Sequence, residues 1–461
     1  MHNHYDICIV GAGPAGTTIA NRLADFGYKI LVVEKSNFPR QHIGLSLTSG
    51  IHHWLKKLNI EKKVEALQAI RAMKSTVLWS SEDPIIKEFN QENAGFHIDR
   101  GHFDSLLLDE CKLKKVTIIQ PGTIQSLQQK EDGSWDINVL SGTKESHFLS
   151  SFIIDSCGRK SIFKDKRIAY LPKLMATYSY WESTSKIDLH SFIEAGSDYW
   201  YWGAPLDKGR FVLCIFSNPS ALKEASFINQ FYKDTLSKSK FAKHIIDSYA
   251  MGDISVCDAT PYFDTNVIGD NFIKIGDSAY TMDPISSQGV QKAIKSGIQG
   301  AIVVNTILKK KNTSLALQYY KNLIQSEVRK NKQWTTDFYS EQAVFTEGVF
   351  WESRKVSKVI SNTNHYISLK KNDILNLNTQ GTFVSVPILG EKEIINKEGF
   401  LLKGNEDPFV FVDSHHIIPL LKLIHGKTLQ ECIKAISNVL PKQNPMKLTK
   451  WLIYQQVLTH H

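Results

Sequence analysis

Residues 5–10 (YDICIV) form a short apolar, β-branched run that breaks directly into Gly11-Ala12-Gly13-Pro14-Ala15-Gly16. From 17 to 26 the apolar residues Ala20, Leu23 and Ala24 then recur on one helical face. Strand, tight turn and helix follow in that order. Gly27 stops the helix, and residues 29–33 (KILVV) give a second strand ending on Glu34. The result is a βαβ unit of about thirty residues.

This context gives the glycine spacing chemical content. Gly11, Gly13 and Gly16 fit GxGxxG between a strand and a helix, and Glu34 stands beyond the second strand. Glycines permit a sharp turn and let a pyrophosphate approach the backbone, the helix start supplies positive potential, and the carboxylate accepts ribose hydroxyls. A dinucleotide is the expected ligand, held by Gly11, Gly13, Pro14, Ala15, Gly16, Glu34 and Lys35. Glu34 argues against a 2′-phosphate there, because like charges meet.

At 461 residues the chain has room for two or three structural units. With 42% hydrophobic and 22% charged residues, it is neither disordered nor fibrous. Six cysteines lie far apart, with no CxxC pair and no metal-ligand spacing, and read as reduced thiols; no metal is expected. The formal net charge of +9 fits a lysine-rich solvated surface or an affinity for anions. No apolar run approaches the ~18 residues of a membrane span, and the expected location is the cytoplasm, with neither membrane nor nucleic acid as partner.

Further strands at 152–155 (FIID) and 271–275 (NFIKI) each end in a turn with Asp and Gly, so one nucleotide domain is assembled from separated segments. Between them, 175–181, 198–202 and 210–216 alternate as aromatic-rich strands of an antiparallel sheet. Helical periodicity covers 287–308 and 315–329, and the polar stretch 361–380 reads as a connection to a small terminal module. The expected fold class is α/β: a discontinuous Rossmann-like domain (1–70, 96–170, 262–330), an inserted antiparallel β-sheet substrate domain (71–95, 171–261) and a helical/α+β extension (331–461).

Gly276-Asp277-Ser278-Ala279, followed by Asp283-Pro284-Ile285-Ser286-Ser287-Gln288-Gly289-Val290, resembles the second flavin fingerprint of the FAD-dependent aromatic monooxygenase and flavin-dependent halogenase superfamily. The fold this implies is of the glutathione-reductase type and the cofactor is FAD. In that superfamily the Asp holds the ribityl chain, and the turn (Pro284, Gln288, Gly289, Val290) opens a helix whose N-terminus faces the flavin's pyrimidine edge. A helix start there stabilises the negative charge of reduced flavin. Phe38-Pro39-Arg40 with Ile43-Gly44-Leu45-Ser46-Leu47 is similar to the family's FPR..IGESL, and Asp99-Arg100 with Phe103-Asp104 to its DR..FD; these imply cofactor roles for Arg40, Ser46 and Arg100. Leu45 replaces the family's acidic residue.

Trp200-Tyr201-Trp202-Gly203-Ala204-Pro205 resembles the halogenase signature WxWxIP, with Ala204 in place of Ile. Trp200 and Trp202 share one side of a strand, either as a wall between flavin and substrate or as a packed aromatic pair. The residues 286–290, Lys295-Ser296-Gly297 and the late Phe338-Tyr339, Glu341, Phe350-Trp351 and Arg354 are closer to the LodB/GoxB/QhpG-like maturation flavoproteins, which oxygenate a tryptophan of a partner polypeptide. A halogenase needs a lysine beside its substrate; Lys74, with Arg71 nearby, is the candidate, off the family spacing. His97, before Asp99-Arg100, is the acid/base candidate.

The expected function is FAD-dependent monooxygenation through a C4a-hydroperoxyflavin, acting on an electron-rich aromatic ring such as a free or peptide-borne indole. The runner-up is halogenation of an indole, pyrrole or phenol through the same species. O₂ is the co-substrate, and NAD(P)H or a separate flavin reductase the electron donor. A geranylgeranyl-type reductase and a non-catalytic flavin-bound partner are the rivals from other classes.

Overall fold

In the computed structural model, residues 3–460 are described except 41, 68, 164–165, 183–189, 208, 225–226, 311, 346, 356–367 and 413. The chain divides into two compact units, Met1–Lys358 and Val359–His461.

The first unit opens on β1 (Asn3–Val10), α1 (Pro14–Asp25) and β2 (Ile30–Val33). β1 is flanked in parallel by β2 and by β3 (Lys144–Asp155), and the sheet runs Ile268–Gly269, Phe272–Lys274, β3, β1, β2, Thr117–Ile119. Ile7, Cys8 and Ile9 are fully buried, as expected of a central parallel strand covered on both faces. Two helices cover this sheet region with α1: α2 (Arg100–Leu113) and α3 (Gly289–Leu308). The small residues of α3, expected to pack on the sheet, also admit α1. A Cβ on Gly297 would stand 2.8 Å from the Ala15 carbonyl oxygen, while one on Gly300 would meet Ile19 and Ile275 at 3.1 Å.

The inserted sheet contains β4 (Met175–Glu182), β5 (Tyr199–Pro205) and β6 (Arg210–Ser217), ordered Ala250–Met251, β4, β6, β5, Ser191–Ala195, Lys74–Leu78, Ile85–Glu88. It is antiparallel except where Ser191–Ala195 meets Lys74–Leu78. Alternation gives it two different faces. One buries Tyr201, Phe211, Leu213 and Ile215 against Tyr232, Leu236 and Ile245 of two short helices. The other carries Tyr178, Trp200, Trp202, Ala204, Val212, Cys214 and Phe216.

The second expected late helix is longer than its periodicity predicts. α4 (Thr313–Ser340) runs unbroken through position 331, and its Tyr339 joins Phe350 and Trp351 in the core on that second face.

The terminal unit has its own core of Leu375, Ile418, Leu421, Ile424, Leu429, Cys432, Ile436 and Leu452. It comprises a hairpin (Gly381–Leu389 with Ile394–Leu402), three short helices and a small sheet centred on Ile374–Leu377. That strand lies in the stretch expected to be a connection, of which residues 361–367 are outside the described residues. The helices Ile418–Ile424 and Leu429–Val439 are divided at Gly426 (φ 74°), and Thr428 and Glu431 form a capping box for the second.

Candidate functional site

At the turn after β1, Gly11 adopts φ 98°, and a Cβ there would lie 2.6 Å from the Ser156 carbonyl oxygen at the end of β3. A Cβ on Gly16 would lie 2.0 Å from the carbonyl oxygen of Gly11. Only glycine fits at either position. Pro14 opens α1, no side chain caps its N-terminus, and Pro14 and Ala15 are buried under it. The leading amides of that helix are therefore left for an anion.

Glu34 is 3% exposed and holds this turn. Its Oε2 accepts from the Ala12 amide at 2.8 Å, and Oε1 from the Ser36 amide at 2.9 Å and Arg40 Nη1 at 3.0 Å. Lys35 points to solvent. The glycine cradle, the uncapped helix start and the adjacent carboxylate fit the adenosine pyrophosphate half of FAD.

Arg100, which opens α2, donates to both oxygens of fully buried Asp104 at 3.0 and 3.1 Å. It also donates to the Ile43 carbonyl at 3.3 Å, fixing the 43–44 loop. Arg40 approaches the same Asp104 at 3.7 Å. Arg210 of β6 pairs with Asp99, the N-cap of α2, at 3.1 Å, which ties the aromatic sheet to this stretch.

Ser46 and His97 face each other across paired short strands, Ser46–Leu47 and Gly95–His97. Phe96 and Leu47 turn into the core with Val290, so alternation sets Ser46 and His97 on the opposite side. His97 is 3% exposed, its Nδ1 has no hydrogen-bond partner among the described residues, and burial lowers its pKa to about 4. It is a neutral imidazole at pH 7.

The second fingerprint folds as two tight turns before α3. Asp277 is half-exposed, and its Oδ1 accepts from Lys292 Nζ at 2.5 Å. Asp283, 2% exposed, caps the turn through the Ile285 amide and lies 3.3 Å from the Tyr339 hydroxyl. Burial raises its pKa to about 6. Pro284 opens that turn and Ser287 closes it at φ 50°. Gln288 and Gly289, at the uncapped start of α3, are exposed, whereas the Val290 side chain is core.

The two tryptophans of the WxW stretch differ. Trp200 is 1% exposed, stacks on Phe216 at 3.9 Å and donates from Nε1 to the Tyr339 hydroxyl at 3.1 Å. It is a packed core residue. Trp202 is only partly buried and sits in register with Cys214 and, one strand further, Tyr178. Beside that row a cleft of about 260 Å³ is lined by His42 of the FPR-to-IGLSL stretch, Tyr178, Tyr180, Glu182 and residues 250–253 and 255. Tyr178 and Tyr180 meet edge-on at 6.1 Å.

Lys74 is not brought to this cleft. Its strand places Val77 and Trp79 on the face of Trp200, so alternation sets Lys74 with Thr76 on the other face, opposite Glu88 of the edge strand. Arg71 is engaged with Glu65 at 2.6 Å and over the Phe96 ring. Sequence reasoning quoted Asp104 only as part of the DR..FD stretch and passed over Lys292, Tyr178 and Tyr180. The tyrosines were legible as alternating positions of a predicted strand, and Lys292 as a lysine in the first turn of a predicted helix.

Among the described residues no His/Cys/Asp/Glu group is placed to hold a metal, and no helix is long and apolar enough to cross a membrane.

Residues 65–386 match the tryptophan halogenase family, and residues 5–118 match the pyridine nucleotide-disulphide oxidoreductase family. The chain is 26% identical over 375 residues to the tryptophan 2-halogenase of Chondromyces crocatus, covering 76% of this chain and 70% of that one. Its fold is that of CmlS, a flavin-dependent halogenase (TM-score 0.84, 17% identity, 100% of this chain and 96% of the other). It is also that of the peptidyl tryptophan dihydroxylase QhpG (TM-score 0.74, 19% identity, 98% and 99%). The α/β fold, the FAD cofactor and the oxidoreductase class read from the sequence all stand. With its two flavin fingerprints folded around one nucleotide sheet, and well over half its length matched, the chain is an FAD-dependent enzyme belonging to the tryptophan halogenase family.

Proposed function

We propose that the enzyme halogenates an electron-rich aromatic ring, using O₂, halide and FAD reduced by a separate reductase. The single observation that carries this reading is the family match across residues 65–386, which spans the aromatic sheet as well as the flavin turn. The likeness to a tryptophan 2-halogenase supports an indole as the first ring to test.

In this reading Gly11, Gly13, Pro14, Ala15 and Gly16 seat the pyrophosphate, Glu34 the ribose and Asp277 the ribityl chain. Arg40 and Arg100 fix the 40–46 stretch along the flavin, and Pro284, Gln288, Gly289 and Val290 present the start of α3. We assign FAD binding to segments 1–70, 96–170 and 262–330, and ring binding to 71–95 and 171–261. Bound FAD supplies oxygen activation. Tyr178, Tyr180 and Trp202 hold the ring by apolar and edge-to-face contact, and the packed row Leu45, Ala204, Leu206 and Val212 excludes water.

A second reading is oxygenation of the ring. It is supported by the likeness to QhpG. The cleft's lining also contains no lysine or arginine among the described residues.

One experiment separates the two. FAD-loaded enzyme, a flavin reductase, NADH and O₂ are incubated with an indole, pyrrole and phenol panel, with and without bromide or chloride. Halogenation gives a product with the halogen isotope pattern only when halide is present. A mass gain of one oxygen with halide in excess replaces the first reading with the second, and substrate-independent O₂ uptake alone removes both.

A further inference from the structure

Lys292 occupies a place that helix stability disfavours. It lies in the first turn of α3, where the macrodipole favours anions, and it is 4% exposed. Taking an ammonium out of water is unfavourable even when it is paired, so such a pair is weak grounds for a stabilising role.

What the side chain does is specific. Nζ donates to Asp277 Oδ1 and to the Tyr280 carbonyl, both at 2.5 Å, and stands 4.6 Å over the Tyr280 ring. The Tyr262 hydroxyl donates to the Asp277 carbonyl at 2.7 Å, pinning the backbone of the same residue. The lysine side chain is sealed at 3% exposure while its carboxylate partner is 44% exposed. The pair is therefore asymmetric, with a buried cation gripping one oxygen of an anion whose other side is open. Desolvation raises the carboxylate's pKa, and the charge and hydrogen bond of Lys292, with smaller contributions from Arg159 and His42, outweigh it, so Asp277 is held below the ordinary carboxylate range.

We infer that Lys292 is a positioning residue for the cofactor. It fixes the rotamer and ionisation of Asp277 so that the exposed oxygen is preset to accept a polyol hydroxyl of FAD. It also adds a buried positive charge at the start of α3, where negative charge on reduced flavin is favoured. This rests on the reading of Asp277 as an FAD ligand, and the test keeps the two separate.

FAD affinity is measured by fluorescence quenching for the wild type, Lys292→Met, Lys292→Arg, Asp277→Asn and the double variant Lys292→Met/Asp277→Asn. The midpoint potential of bound FAD is read by dye equilibration, and folding by circular dichroism and thermal melting of the apoprotein. Lys292→Met is expected to weaken oxidised FAD at least tenfold, and Lys292→Arg to regain most of that loss. The double variant is expected to bind no worse than Asp277→Asn. Reduced FAD is expected to lose a further tenfold in Lys292→Met, a fall in midpoint of about 30 mV for a two-electron couple.

If Asp277→Asn binds FAD like the wild type, the reading of Asp277 fails. If Asp277→Asn loses affinity while Lys292→Met stays within twofold, or if the two losses add in the double variant, the inference about Lys292 is overturned and the reading of Asp277 survives. Should the Met variant not fold, Lys292→Gln, which keeps a donor without the charge, takes its place with the same expected loss.

Discussion

Leu45 and Ala204, the two positions at which the chain departs from the motifs it otherwise resembles, are buried in one cluster with Leu206 and Val212. At 2% and 0% exposure they have no free space between them and water. An apolar residue of the 43–45 loop thus shares one cluster with a small residue of β5.

Restoring the isoleucine alone therefore overfills the site. Ala204→Ile is expected to destabilise the protein by about 1–3 kcal/mol, and Leu45→Ala in the same chain to recover much of that because the two share neighbours. Urea denaturation of the two single variants and the double variant measures the coupling. Simple additivity would refute the shared packing.

Trp200 and Trp202 are expected to separate in function. Trp200→Phe removes the Nε1 donor to Tyr339 and is expected to cost about 1–3 kcal/mol of stability, with kcat/KM changed less than threefold. Trp202→Ala and Tyr180→Ala are expected to raise KM for the aromatic substrate about tenfold, with FAD affinity unchanged. Steady-state kinetics beside thermal melts distinguishes the two patterns.

Asp283 gives a pH signature. Its folded pKa of about 6 stands above the ordinary carboxylate value of 3.8 because burial disfavours the anion. The folded state therefore binds more protons than the unfolded one between about pH 4 and 6, and stability falls as pH rises through that window. Asp283→Asn keeps the cap acceptor and is expected to be the more stable protein above pH 6, by up to about 3 kcal/mol. Melting temperatures from pH 4 to 8 check this; parallel curves for both proteins contradict it.

His97 acts in the opposite sense. Its folded pKa of about 4 lies below the ordinary imidazole value of 6.5, so the unfolded state binds more protons between about pH 4 and 6.5 and stability is lost as pH falls through that range. His97→Leu also removes the unpartnered Nδ1. It is expected to melt higher than the wild type at pH 5, with the gap narrowing toward pH 8. A large fall in kcat for this more stable variant is the result that makes His97 a participant in turnover.

Much of this architecture was readable beforehand because its signals are local. A glycine turn between a β-branched run and an amphipathic run needs no distant partner to be interpreted, and the Gly276-Asp277 and Asp283-Pro284 turns carry their own chemistry. What escaped depends on tertiary packing. The sequence treats Trp200 and Trp202 as equivalents two residues apart, whereas Trp79, Phe216 and Tyr339, from three separate elements, make only the first of them core. Lys74 fails to reach the cleft because of strand parity within a sheet whose neighbouring strand, Ser191–Ala195, is more than a hundred positions away. The division of the helical stretch at Gly426 was legible in composition, since Gly-Lys-Thr is a stop followed by a new cap.

Cys214 lies in register between Trp202 and Tyr178, on the strand that separates theirs. Complete burial holds its thiol well above the ordinary range, so it is protonated at neutral pH. Sulfur is attacked by oxidants chiefly as thiolate. A buried, protonated sulfur set among the aromatic side chains of that face is thereby a poor target for oxidation.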